Sequence, residues 1–238
     1  MAERIPLVLL PGMVSDAAYW QAQIENLSDI VEATVVAFGA LDHFGAMAEM
    51  VLAQAPARFA LAGHSMGGRV VQDVYRRAPE RVLKLALLAT DYRRPASESA
   101  RQKEVREREE MLALAAEQGM EAFARGWLIG LLAPQTAQHP DLVETMVAMI
   151  ARHSVRELTA HTLAALRRPD CTAVIDAIDV PTLILAGEFD PLRPVSVHQE
   201  MAERIRNSRL VVIERSGHML AMEQPRAVTQ IMREWLLL

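Results

Sequence analysis

Residues 63–67 read GHSMG: a serine with a glycine two positions to each side, straight after the apolar run FALA. A serine hydroxyl is a poor nucleophile at neutral pH and attacks a carbonyl only beside a positioned base. The glycines say which kind of turn this is. Where the chain bends tightly enough to thrust the Ser65 hydroxyl clear of the backbone, side chains at positions 63 and 67 would clash. The same bend turns the N–H of Met66 outward, where it can hold a negatively charged oxygen. The chemistry in prospect is attack on a carbonyl. It needs a base, an acid to orient that base, and a second N–H donor.

Seven histidines are available for the base. His218, in ERSGHML, falls between the apolar run RLVVIE and the last helical segment, on a loop at the same end of the fold as Ser65. His64 adjoins the serine, but neighbours on such a turn point apart, so it is expected to pack beneath the turn. His139, His153 and His161 fall in a helical stretch and are expected at its surface or along a pocket wall. His198, in a helix after DPLRP, is expected to be exposed, and His43 lies in a loop that could touch substrate.

For the acid, Asp190 in TLILAGEFDPLRP follows a strand-like run and is preferred, with Glu188 two residues nearer the strand. Asp91, in LLATDYRRP, ends another such run at the same edge and competes. The acid must fix the tautomer of the base and stabilise its charged form. The second donor is expected in LLPGMVSD, where Gly12 lets the backbone pass closely and Met13 offers its N–H.

Elements that bring such distant residues together can be read from the apolar runs IPLVLL, TVVAF, FALAG, KLALLA, TLILAG and RLVVIE. None alternates apolar with polar, as strands do not when helices cover both faces of a parallel sheet. Helical-period segments lie between them, as at residues 45–54, 67–78 and 225–237. The alternation predicts an α/β fold: a mostly parallel sheet of about six strands flanked by helices. It breaks once, between residues 92 and 173, where three or four helices are predicted as an inserted cap on a core formed by residues 1–91 and 174–238. The charged run Arg101–Glu110 is expected to be a solvated helix face.

Composition narrows the partners. The 238 residues are 51% hydrophobic with a net charge of −5, which supplies a core and argues against nucleic acid. No run approaches the roughly 18 apolar residues that span a bilayer, so no membrane partner is expected. The N-terminal apolar run is too short for a signal peptide, and the single cysteine, Cys171, excludes an internal disulfide framework. A cytoplasmic location is expected. No cofactor and no metal are expected, since H-E-x-x-H is absent and the histidines are scattered.

Four stretches, LVLLPG leading to Trp20, LAGHSMGG followed by RAPERV, PTLILAGEFDPLRP and SGHMLAMEQP, occur in the order that resembles the α/β-hydrolase superfamily over nearly the whole chain. The look is that of small capped esterases, enol-lactonases and C–C bond hydrolases. The resemblance implies Ser65 as nucleophile, His218 as base and Asp190 as acid. Departures are Pro11-Gly12 where His-Gly is usual, GALDHFG in place of an Asp-x-x-Gly-x-Gly run, and the absence of two leading antiparallel strands. The expected activity is acyl transfer to water from a small or medium ester or lactone with an apolar acyl part. Gly12, Trp127 and Leu131 are expected at the substrate, while Leu128, Leu132, Met146 and Met149 have the spacing of cap core and Arg125 could read a carboxylate. The alternatives are a C–C hydrolase or lyase on the same residues, or a ligand receptor.

Overall fold

The computed structural model describes residues 4–238. Six strands form one sheet: β1 (Ile5–Leu10), β2 (Val31–Val35), β3 (Phe59–His64), β4 (Val82–Leu88), β5 (Thr182–Gly187) and β6 (Ser208–Ile213). All pairings are parallel, in the order β2-β1-β3-β4-β5-β6. Every residue of β3 and β5 is buried, which is why their sequences are continuous apolar runs rather than alternating ones. Edge strand β6 instead exposes Arg209 and Val212.

The helices are α1 (Gln21–Asn26), α2 (Phe44–Gln54), α3 (Met66–Arg77), α4 (Glu98–Ile129), α5 (Pro140–Ala151), α6 (Val155–Leu166), α7 (Thr172–Asp176), α8 (Val195–Arg204), α9 (Leu220–Glu223) and α10 (Pro225–Leu237). Helices α4 to α6 form the inserted helical region between β4 and β5. Gly119, with φ 87°, breaks α4 into two segments. The second packs its apolar stripe on α5: Phe123, Leu128, Met146 and Met149 are all buried. Among the described residues no helix is long and apolar enough to cross a membrane.

Strand order fixes where a site can form. The chain steps outward from β1 to β2 and then returns to the other side of β1 for β3. Loops leaving the carboxyl ends of β1 and β3 therefore diverge and open a crevice at that switch of direction. The loop after β1 carries Gly12 and Met13, and the turn after β3 is Ser65.

Candidate active site

Ser65 has φ 51° and ψ −112°, in the left-handed region that a side chain rarely adopts. The strain is held by the surroundings. The Ser65 N–H donates to the Leu88 carbonyl at 2.8 Å, and the Thr90 hydroxyl donates to the Ser65 carbonyl at 2.7 Å. A Cβ on Gly63 would lie 2.5 Å from the Gly67 carbonyl oxygen, and one on Gly67 would strike the carbonyls of Leu10 and Pro11. Helix α3 thus starts against the ends of β1 and β3 at a distance only glycine permits.

His218 reaches this turn from the loop after β6. Its Nε2 lies 2.9 Å from Ser65 Oγ and its Nδ1 2.7 Å from Asp190 Oδ2. Both His218 and Asp190 are buried. The carboxylate accepts at Nδ1, which places the ring proton there and leaves Nε2 free to accept from the serine hydroxyl. Asp190 Oδ1 also accepts from the N–H groups of Leu192 and Arg193, at 2.9 and 3.0 Å. Burial alone would push the Asp190 carboxyl up, but adjacent His218 and these hydrogen bonds hold it below the usual carboxylate range.

The loop bearing His218 is fixed from beneath by Glu223, which sequence reasoning did not single out although it lies within SGHMLAMEQP. Its Oε1 accepts from the N–H groups of Gly217 and Met219, both at 3.0 Å. Its Oε2 accepts from Ala133 N–H at 2.9 Å and the Thr136 hydroxyl at 2.8 Å, on the inserted region. One buried carboxylate therefore ties both neighbours of His218 to the chain between α4 and α5.

The remaining candidates fall elsewhere. Asp91 pairs with Arg193 at 3.0 Å and Arg69 at 3.5 Å, and Glu188 accepts from Arg215 N–H. His64 stacks on Tyr19 at 4.0 Å and donates from Nε2 to the His218 carbonyl at 2.9 Å. Burial, reinforced by His218 nearby, drives its pKa well below the ordinary histidine value. His43 caps α2 by accepting from Gly45 N–H. His198, expected to be exposed, is instead fully buried, and its Nε2 accepts from Thr90 N–H at 3.2 Å. The reason is a backbone partner on a distant loop, which no local pattern reveals. Arg125 is taken up by Glu121 and Glu144 at the surface. Leu131, expected at the substrate, lies outside the cleft, and its carbonyl accepts from His218 N–H at 2.8 Å.

A cleft of about 320 Å³ opens over Ser65, with Met13, Met66 and Trp127 in its wall. Gly12 borders the same point: a Cβ there would lie 3.5 Å from Ser65 Cβ and 2.9 Å from His64 Nδ1. The N–H groups of Met13 and Met66 have no protein acceptor among the described residues. The lining is mixed: Phe44, Met111, Trp127 and Leu192 are apolar, and charged side chains stand beside them. Arg69, Arg108, Arg168 and Arg193 contribute to it, with Asp91 and Glu104 among their partners. Glu104, Arg108 and Met111 recur at helical spacing and are partly withdrawn from solvent on the cleft side, whereas most of the run Arg101–Glu110, Glu107 included, is exposed as expected. No group of three or more His, Cys, Asp or Glu among the described residues is arranged to hold a metal ion.

Comparison with known proteins agrees with this fold. A pimeloyl-[acyl-carrier protein] methyl ester esterase from Pectobacterium carotovorum is 31% identical over 94% of this chain and 91% of its own. Other bacterial relatives match along as little as 61% of their length. A thermophilic esterase from Thermogutta terrifontis, solved with malate bound, superposes with a TM-score of 0.84 at 30% identity, covering 98% of this chain and 89% of that one. An enol-lactonase from Burkholderia xenovorans shares the fold, with a TM-score of 0.85 at 20% identity over 100% and 93% of the two chains. The family model for the alpha/beta hydrolase fold matches residues 39–225, and the chain belongs to that family.

Proposed function

We propose that the protein is a carboxylic ester hydrolase or lactonase that works through an acyl-enzyme on Ser65. The observation that carries this reading is the unbroken relay of 2.9 and 2.7 Å from Ser65 Oγ through His218 to Asp190. His218 Nε2 takes the hydroxyl proton as Oγ bonds to the substrate carbonyl carbon. The carbonyl oxygen, now negative, sits between the N–H groups of Met13 and Met66, each contributing roughly 3 kcal/mol to lowering the barrier. The intermediate collapses, the C–O bond to the alcohol breaks, and His218 returns its proton to the leaving oxygen. Water repeats the sequence on the acyl-enzyme and releases the acid. Residues 92–173 act as a cap that supplies Trp127 to the cleft.

The four arginines shape the substrate. Four guanidinium groups line the cleft against three carboxylates: Asp91 and Glu104, which pair with them, and Glu107, which pairs with Lys103. Arg69, one helical turn beyond Ser65 on α3, is 4% exposed; its Nε has no hydrogen-bond partner and its Nη1 only the Asp91 carboxylate at 3.5 Å. A cleft with surplus buried donors favours an ester or lactone of small to medium size whose body carries an acidic group. The test is a fluorophosphonate probe on the protein and on Ser65→Ala, followed by p-nitrophenyl hexanoate against the mono-p-nitrophenyl ester of adipic acid. The wild type is expected to be labelled, the variant to fold but stay unlabelled, and the acidic ester to be preferred about tenfold in kcat/KM at low salt. An unlabelled wild type sinks the serine hydrolase reading. A preference for the neutral ester sinks only the acidic-substrate part.

A further inference from the structure

The loop after β1 is held from above by the inserted helices. Val14, next to the proposed donor Met13, has φ 42°, another side-chain-bearing residue in the left-handed region. Its buried N–H finds no partner in the core; it donates at 3.1 Å to Nδ1 of His161, 147 residues away on α6. His161 is itself buried, packed edge-on to Phe38. Two further contacts from the same region grip this loop. Arg108 Nη1 lies 3.7 Å from Met13 Sδ, and Arg152 binds the Asp16 carboxylate at 2.6 and 2.8 Å. The contact through His161 is the one made to backbone, and it fixes the peptide that follows Met13.

We infer that His161 is a positioning residue for the oxyanion site: by accepting from Val14 N–H it holds the loop after β1 in the conformation that aims Met13 N–H at the reacting oxygen. The inference rests on the hydrolase reading above. A side-chain-bearing residue at φ 42° persists only where its surroundings over-determine it, and the bond to His161 is such a constraint on Val14. A donor aimed at a developing charge loses its value when it moves by a fraction of an ångström, because the gain belongs to the transition state and not to the bound substrate. The inserted region then does two jobs: it walls the cleft, and it sets the loop that stabilises the charge.

Asparagine and leucine at position 161 separate this role from simple packing, since they are close in shape and only asparagine can accept from Val14 N–H. In His161→Leu, kcat on a p-nitrophenyl ester is expected to fall at least tenfold with KM within about twofold, and a trifluoromethyl ketone that mimics the tetrahedral state should lose affinity in parallel. His161→Asn should recover kcat to within about threefold. Unchanged kcat in His161→Leu overturns the inference, as does an equal loss in both variants. Wild-type labelling by the fluorophosphonate probe stands apart from these outcomes, so failure of the positioning role is not confused with failure of the hydrolase reading.

Should His161→Leu not fold, His161→Asn still decides the matter through the pH dependence of kcat. His161 faces Val14 N–H, the Phe38 ring and the Gly39 carbonyl, with His153 and Glu157 as the titrating groups near it. A doubly protonated ring cannot accept from Val14. The wild type should therefore lose kcat more steeply than His161→Asn as pH approaches 4, and superimposable acid limbs would refute the role.

Discussion

Asp190 Oδ2 lies 2.7 Å from His218 Nδ1, on the side of the ring away from Ser65. The competing acid, Asp91, is occupied instead by Arg193 and Arg69 at the cleft rim. This arrangement separates two carboxylates that both stand at the carboxyl edge of the sheet. In Asp190→Asn the shape survives, but an amide N–H facing Nδ1 favours the wrong tautomer, and turnover should drop by about 10⁴, as in serine proteases. Asp91→Asn should cost at most about tenfold, since Asp91 faces Arg193 and Arg69 and does not touch His218. Steady-state kinetics of both variants on one activated ester check the assignment, and a crippled Asp91→Asn with a healthy Asp190→Asn would overturn it.

Why the relay was legible in sequence and the cleft wall was not has a physical cause. Ser65, Asp190 and His218 each follow a strand whose apolar run announces it, and parallel strands deliver their following loops to one edge. The glycine constraint at 63 and 67 comes chiefly from backbone collision, which shows in the residue type at each position. The wall depends instead on how helices of the inserted region rotate against the core. Glu104 and Arg108 sit in a run where nearly every residue is charged, so periodicity hides the face that turns inward. His198 and His161 are held by single backbone N–H groups more than 100 residues away. Glu223 could have been found: an acidic residue five positions after His218, within a run otherwise apolar, has few ways to be satisfied except by nearby backbone.

That carboxylate gives the second prediction. Glu223 accepts four hydrogen bonds while buried, two from the residues flanking His218 and two from the inserted region. Glu223→Gln keeps one acceptor oxygen and turns an NH₂ toward two donors, leaving them unsatisfied. With a penalty of about 1–3 kcal/mol for each buried group left unpaired, a loss of roughly 3 kcal/mol is expected. For a chain of this size that lowers Tm by about 6–12 °C. Because the loop carries His218, kcat at 25 °C should fall as well, even where the protein remains folded. Differential scanning calorimetry with parallel kinetics tests this, and a variant with unchanged Tm would show that water replaces the lost acceptor.

Acid sensitivity follows from the buried histidines. Burial lowers the pKa of His64, His198 and His161, the last to about 4, whereas in the unfolded chain all three titrate near 6.5. Between those values the unfolded state binds the protons first, so stability falls as pH falls. The contribution is fully present above pH 6.5 and is lost on the way down toward 4. For His161 alone the displacement corresponds to roughly 3 kcal/mol. Asp190, with its pKa lowered, acts further down: its contribution is present above the unfolded value of 3.8 and is lost as pH drops through the folded one. Urea unfolding at pH 7.5, 6.5, 5.5 and 5.0 follows the histidines, with carboxylates adding to the decline only toward pH 5.0. Stability should decline across that range, and His198→Gln, which cannot titrate but can still accept from Thr90 N–H, should reduce the slope by about 1.4 kcal/mol per pH unit at its steepest. A flat profile from pH 7.5 to 5.0 would mean that these rings take up protons in the folded state as readily as in the unfolded one, and that burial does not keep them neutral.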